Sequence, residues 1–287
     1  MKYLQLIRIH QWMKNLFLFL PIFFGAAITN WILLCRVSLG FLAFSMIASI
    51  IYILNDYLDI EKDKMHPIKS QRPLAAGKIR PINALQIACC LSILGFSLSY
   101  YLGLAFLYIV LIYFFMNVLY SKYLKNISLL DIYIIAVGFL LRVFAGSILS
   151  DVALSKWLII MIFLLALFVA LAKRRDDVLL LQKKQLHVRA AIKGYNLEFI
   201  NVSMVMMASV IIVAYLMYSF SAEVSQRLHY EYTYLPVFWL IAGILRYFQL
   251  TFVKEQSADP TKILLKDAVI MFIVTCWIIT NFILIYY

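Results

Sequence analysis

The run VSLGFLAFSMIASIIYIL, residues 37–54, leads without a charge into NDYLDIEKD, residues 55–63. The first part is close to the ~20 apolar residues that a helix needs to cross a bilayer. The second part holds four of the chain's 14 acidic residues. If the helix continues past Leu54 it turns about 100° per residue, so Asp56, Asp59 and Asp63 share one face and Glu61 points away from it. Three carboxylates on one stripe repel each other. A divalent cation reverses the sign of that interaction. Mg²⁺ suits the arrangement, because it prefers oxygen ligands and usually takes one or two carboxylates together with phosphate oxygens. The stretch therefore reads as a metal–diphosphate site at a membrane surface.

Working outward, the composition agrees. Of 287 residues, 65% are hydrophobic and only 14% are charged, and the mean hydropathy is +0.92. A soluble domain is closer to half apolar. Backbone groups in lipid must be satisfied within the chain, and no weak ten-residue alternation points to a barrel, so the expected fold is all-α. Nine spans are expected, at Leu16–Leu34, Val37–Leu54, Pro81–Leu102, Leu104–Tyr120, Asp131–Leu149, Trp157–Ala172, Phe199–Phe220, Tyr234–Val253 and Ala268–Tyr286. The tightest turns fall near Cys35-Arg36 and near Gly103. No cleavable signal is evident, and the first apolar run reads as the first span.

Charge sets the sidedness. With the N-terminus cytoplasmic, 21 of the 26 basic residues fall in inside segments, and only Arg36, Lys156 and Arg227 fall outside. Arg142 and Arg246 lie within spans. The net charge of +12 is thus read as positive-inside patterning, and no nucleic-acid partner is expected. Cys35, Cys89, Cys90 and Cys276 fall in apolar runs and read as small buried hydrophobes. The whole chain, 1–287, reads as a single transmembrane domain. Its long inside loops, 55–80 and 173–198, put an active-site cavity at the cytoplasmic face of the cell membrane.

Other polar groups cluster near those loops. Pro67 and Pro73 stiffen the loop that carries Lys69 and Arg72 beside the acids, where both bases can meet phosphate oxygens. Isolated His66 is given no metal role. After the sixth span, Lys173-Arg174-Arg175-Asp176-Asp177 mixes both signs, which suits a phosphorylated substrate, with Asp177 as ligand of a second metal. Asp131 opens the fifth span, and Arg142 lies eleven residues on, nearly on the same face and roughly 16 Å deeper. A buried Arg in a span is a functional candidate, with a structural pair as the equal alternative. Asn117, Tyr120 and Ser121 precede Lys122 and Lys125 at the inner end of the fourth span; Gln11, Lys14 and Asn15 form a polar face before the first. Interfacial anchoring explains either group equally well. Arg246 has no evident partner.

Together these residues resemble the UbiA superfamily of intramembrane prenyltransferases. The likeness rests on N-D-x-x-D-x-x-x-D, here Asn55, Asp56, Asp59 and Asp63, after the second of nine helices. The resemblance implies that these aspartates bind Mg²⁺ and the diphosphate of an allylic donor. In the family a second motif, typically D-x-x-x-D, follows the sixth helix. This chain departs there, with Lys173-Arg174-x-x-Asp177. That departure is similar to the decaprenyl-phosphate phosphoribosyltransferase branch. So are Gln11-Trp12-x-Lys14-Asn15, His66-Pro67-x-Lys69-x-x-Arg72-Pro73, Tyr120-Ser121-x-x-Leu124-Lys125, Gly138-Phe139-x-Leu141-Arg142, Leu197-Glu198-Phe199 and Asp259-Pro260-Thr261. The branch implies phosphoribosyl pyrophosphate as donor and a polyprenyl phosphate as acceptor, with Asn55, Lys14, Asn15, Lys69, Arg72, Tyr120, Lys125, Arg142, Lys173 and Arg174 around the substrates.

Two other readings stand beside it. An aromatic acceptor prenylated from a polyprenyl diphosphate uses the same departing pyrophosphate but needs less cation. A secondary transporter would place its ionisable groups near the midplane and show repeated halves; here the acids gather at the inner boundary and no repeat is visible. A homo-oligomer is compatible with the sequence.

Overall fold

The computed structural model describes residues 2–65, 69–182, 190–221, 224, 232–254 and 266–287. Among the described residues the chain is helical and contains no strand. In chain order the helices are α1 (Lys2–Leu6), α2 (Leu20–Phe24), α3 (Trp31–Leu58), α4 (Ile60–Lys64), α5 (Pro81–Leu102), α6 (Leu104–Lys122) and α7 (Leu130–Ser150). They continue with α8 (Lys156–Gln182), α9 (Leu197–Ser219), α10 (Pro236–Phe248, extended by a π turn over Gln249–Val253) and α11 (Ala268–Tyr286). Eight of these, α3 and α5 to α11, are long and apolar enough to cross a membrane. The protein is a multi-pass membrane protein.

The expected first span, Leu16–Leu34, is not one helix. Residues Ile9–Phe19 form a 3₁₀ helix, α2 is a short α-helix, and the chain then turns before α3. Pro21 sits in the first turn of α2. Ala26 takes a left-handed φ of 56°. Asn30 caps α3 by accepting from the backbone N–H of Ile32 and Leu33. The turn expected at Cys35-Arg36 therefore lies at 25–30, and α3 absorbs the second expected span within 28 residues. Hydropathy registers an apolar run but not the cap that divides it. Among the described residues, length and composition thus give eight spanning helices rather than nine. Cys89 and Cys90, expected to be buried, are exposed on α5.

The chain divides into two compact units. The first comprises 1–125 and 138–153. Here α3 is central and packs against α5, α6 and the 3₁₀ segment. A 3₁₀ helix has three residues per turn, so side chains at i and i+3 line up. Trp12, Asn15 and Leu18 accordingly form one row. Trp12 Nε1 donates to Ser49 at 3.0 Å, and Asn15 Nδ2 donates to Ser45 at 2.8 Å. Without a hydrophobic drive between helices in lipid, such bonds and close backbone approaches hold elements together. At Leu18 the approach is to Gly146 of α7: a Cβ on Gly146 would stand 2.0 Å from the Leu18 carbonyl oxygen. Gly146→Ala should therefore destabilise by about 1–3 kcal/mol, since the obstacle is backbone. The measurement is the thermal unfolding of the purified protein; an unchanged midpoint would contradict this contact. Gly103, at φ 130°, joins α5 directly to α6 in a conformation that side chains disfavour.

The second unit comprises 126–137 and 154–287. In it α8 packs along α9, and α10 packs on α9 and α11. Asn196 caps α9 by accepting from Phe199 N at 2.7 Å, and Glu198 lies in the first turn. A cap and an acid both suit a helix N-terminus. Leu197-Glu198-Phe199 is thus a helix start. Asp267 caps α11 at Ile270 N (2.9 Å) and also receives Arg246 Nη2 at 2.8 Å. That supplies the partner the sequence did not reveal for Arg246.

Candidate active site

In the first unit, α3 carries Asn55 and Asp56 in its last turn and ends at Leu58. Asp59 breaks the helix, at φ −102° and ψ 10°. The bonding pattern persists across the break, with Asp59 N on Asn55 O at 3.0 Å and Asp63 N on Asp59 O at 2.8 Å. Asp56 and Asp63, two turns apart, therefore stay on one face. Both are buried, at 2% and 3% exposure. Asp59 is half-buried and turned aside, with its carboxylate 3.2 Å from Lys125 Nζ.

The three carboxylates meet three cations. Arg72 Nη1 lies 3.0 Å from Asp56 Oδ1 and 2.6 Å from Asp63 Oδ2. Arg8 Nη2 lies 2.5 Å from the same Asp56 oxygen. Arg72 follows a 3₁₀ turn, Lys69–Gln71, and its loop is closed by Lys78 N and Ile79 N on the Pro73 carbonyl at 2.9 and 3.2 Å. Arg8 is a residue that sequence reasoning missed. It stands at a left-handed φ of 52° between α1 and the 3₁₀ helix, with its guanidinium 4.8 Å from the Tyr52 ring centre.

This geometry bears on metal binding. Two carboxylate oxygens converge on one positively charged nitrogen, and hard divalent cations prefer that donor type. Asp56 and Asp63 thus fit a cation. Among the described residues no three acid, His or Cys side chains converge on one point. The expected three-acid stripe is a pair plus one, because the helix breaks at its middle member. His66 and Pro67 lie outside the described residues, as do Asp259, Pro260 and Thr261.

Deeper in the same unit, Arg142 of α7 is 6% exposed. Its Nε donates to Asn15 Oδ1 at 2.8 Å, Nη1 to the Gly138 carbonyl at 2.6 Å and Nη2 to Tyr113 Oη at 2.8 Å. The rings of Tyr113, Phe44 and Phe139 surround the guanidinium, with centres at 4.8, 5.2 and 5.4 Å. Among the described residues no carboxylate lies within ion-pair distance of it. Neutral acceptors and ring faces hold the charge instead. Asn55, Lys14, Lys69 and Tyr120 are half-buried in this unit.

The second unit holds the other cluster. Lys173 is exposed, whereas Arg174 beside it on α8 is buried, at 1%. Arg174 Nε lies 2.7 Å from Asp131 Oδ2, off the direction of an aligned hydrogen bond, and Nη1 donates to Asp177. Asp131 is fully buried and accepts from Tyr195 Oη at 2.7 Å. Burial, and then this bond to a carboxylate, push the Tyr195 hydroxyl above its ordinary pKa, so it stays a donor. Tyr195 Oη in turn accepts from Leu129 N at 2.7 Å, and Ser128 donates to the Ala191 carbonyl at 2.7 Å. Asp131 thus pairs with Arg174 and Tyr195. Arg142, on the same helix face in sequence, has other partners.

Membrane-spanning helices, with an aspartate pair where α3 gives way to α4 and cations paired to it, are the architecture these residues define. The chain belongs to the UbiA prenyltransferase family, whose model matches residues 18–282. The protein is a transferase. It is 29% identical to decaprenyl-phosphate phosphoribosyltransferase of Mycolicibacterium smegmatis, over 95% of this chain and 88% of that one. The Corynebacterium glutamicum protein of the same name is 28% identical over 95% of this chain and 83% of its own. Among solved structures, a UbiA homolog from Archaeoglobus fulgidus bound to GPP and Mg²⁺ superposes over all of both chains, with a TM-score of 0.74 and 20% identity. The fold is therefore the UbiA fold.

Proposed function

We propose that the protein transfers 5-phosphoribosyl from phosphoribosyl pyrophosphate to a polyprenyl phosphate, with Mg²⁺, and releases pyrophosphate. The observation that carries this reading is the fixed positive charge around the first acids. Three carboxylates meet Arg8, Arg72 and Lys125, and Arg142 holds a further charge without a carboxylate. A ribosyl donor brings a diphosphate and a 5-phosphate, and a lipid phosphate adds another anion; an aromatic acceptor needs fewer cations. The decaprenyl-phosphate phosphoribosyltransferases that align along nearly the whole chain support the same substrates.

Asp56 and Asp63 would hold Mg²⁺, as the Mg²⁺-bound relative encourages. When bound, the metal supplies Lewis acidity toward the departing pyrophosphate. Arg8, Arg72 and Lys125 neutralise pyrophosphate oxygens as the bond from C1 to the diphosphate oxygen breaks and the electron pair leaves with that oxygen. Positive charge develops at C1, and an oxygen of the lipid phosphate forms the new bond there. Lys14, Asn15, Asn55, Lys69, Tyr120, Arg142, Lys173 and Arg174 are assigned to substrate binding, and Asp177 to a second metal. Positive-inside charge supports chemistry at the cytoplasmic face of the cell membrane. A ninth crossing, by the apolar run that begins at Leu16, would complete this topology with a cytoplasmic N-terminus.

The test supplies purified protein in bilayers with Mg²⁺, phosphoribosyl pyrophosphate and a polyprenyl phosphate. Pyrophosphate release should require the lipid phosphate and stop when EDTA removes the metal. No product there, with prenylation of an aromatic acid in parallel, would replace this reading with prenyl transfer. Accumulation of an unmodified solute in the vesicles would replace it with transport.

A further inference from the structure

Arg8 and Arg72 stand where a divalent cation bridging Asp56 Oδ1 and Asp63 Oδ2 would bind. Arg72 Nη1 occupies the point on which Asp56 Oδ1 and Asp63 Oδ2 converge, and Arg8 Nη2 covers the same Asp56 oxygen at 2.5 Å. A metal cannot share these oxygens with two guanidiniums at such distances. Equally, the guanidiniums cannot easily leave. Arg8 and Arg72 are only 18% and 25% exposed, and a charge displaced from its partner in a mostly buried site is costly unless another anion receives it. Phosphate oxygens are good receivers, because a guanidinium donates to them in the same planar fork it offers a carboxylate.

We propose that Arg8 and Arg72 are tethered counter-ions of the Asp56–Asp63 pair, handed from carboxylate to diphosphate when a divalent cation takes the acids. This rests on the reading that a diphosphate binds at the first cluster. Both residues are long and hinged. Arg72 hangs from a loop, and Arg8 from the left-handed residue that joins α1 to the 3₁₀ helix. Tyr52 offers the Arg8 guanidinium a ring face at 4.8 Å, a contact that does not depend on the carboxylate. Without metal the cations keep two buried carboxylates apart from water and from mutual repulsion. Without diphosphate they keep metal out. Metal and diphosphate therefore each bind more tightly in the presence of the other.

The experiment uses full-length protein in nanodiscs and reads binding. Mn²⁺ alone is titrated by electron paramagnetic resonance, and pyrophosphate is titrated by calorimetry at saturating Mg²⁺. Arg72→Gln and Arg8→Gln remove one counter-ion each. Each should bind Mn²⁺ about tenfold more tightly than wild type when no phosphate is present, and bind pyrophosphate about tenfold more weakly at saturating metal. The opposed signs are diagnostic, since a residue that only supports the fold would weaken both. Metal affinity unchanged or lowered in both variants overturns the proposal. So does unchanged pyrophosphate affinity in both. Should Arg72→Gln fail to fold, Arg8→Gln decides alone, because its side chain comes from a separate segment. If both binding arms behave as expected but phosphoribosyl transfer fails, the substrate reading falls and the exchange of counter-ions stands.

Discussion

Asp56→Asn should lower turnover by roughly a thousandfold or more while leaving the protein folded. Asp56 and Asp63 are the two carboxylates of the first cluster that converge on one guanidinium nitrogen, and Asp63 keeps its place. An amide of the same size still accepts a hydrogen bond but contributes no charge to a metal. The fold should lose about 1.5–3 kcal/mol, because Asp56 accepts from both Arg8 and Arg72 and the amide oxygen keeps these bonds in weaker form. Arg8 retains the face of Tyr52 and Arg72 retains Asp63 at 2.6 Å. The checks are pyrophosphate release under saturating substrate and the unfolding midpoint in the same preparation. Wild-type turnover in Asp56→Asn would remove this acid from the site. A collapse of the midpoint with lost turnover would assign it to structure.

The consequences of Asp56 also show what the sequence could and could not reveal. Apolar length is a strong signal in lipid, so Pro81–Leu102 and Ala268–Tyr286 match their helices to the residue. A proline at the helix start and Gly103 after the C-terminus mark α5 in the sequence itself. The same signal misled at Leu16–Leu34, because hydropathy does not distinguish a 3₁₀ helix, a five-residue α-helix and a capped helix start from one continuous span. Polar partners were less legible. Arg8 meets Asp56 across 48 positions, and nothing local to either predicts it. The one hint was its position just ahead of the polar face of Gln11, Lys14 and Asn15. On the 3₁₀ helix that face splits: Gln11 and Lys14 share one row, whereas Asn15 lies in the row of Trp12 and Leu18 and is fully buried between Ser45 and Arg142. An α-helical period groups the three residues on one face, and the three-residue turn observed here separates Asn15 from the other two.

Arg174→Met should destabilise the protein by about 3–5 kcal/mol, and the reason is the acid it leaves behind. Asp131 is fully buried, and its charge is opposed by Arg174 at 2.7 Å. Without that guanidinium the carboxylate keeps only the Tyr195 hydroxyl as a described donor, which is too little for a buried charge. A second substitution separates the two roles open to Arg174. Asp131→Leu combined with Arg174→Met removes both charges together, and replacement of a buried pair by apolar side chains is often neutral or better. If Arg174 acts only by holding Asp131 and Asp177, the double variant recovers both the unfolding midpoint and turnover. If its guanidinium also contacts a substrate phosphate, the midpoint recovers but turnover does not, and KM for the phosphorylated donor rises. The first outcome would take Arg174 out of the substrate site. A single variant as stable as wild type would show that Asp131 does not depend on this partner. The substrate question for the second cluster would then pass to Lys173, which is exposed on the same helix.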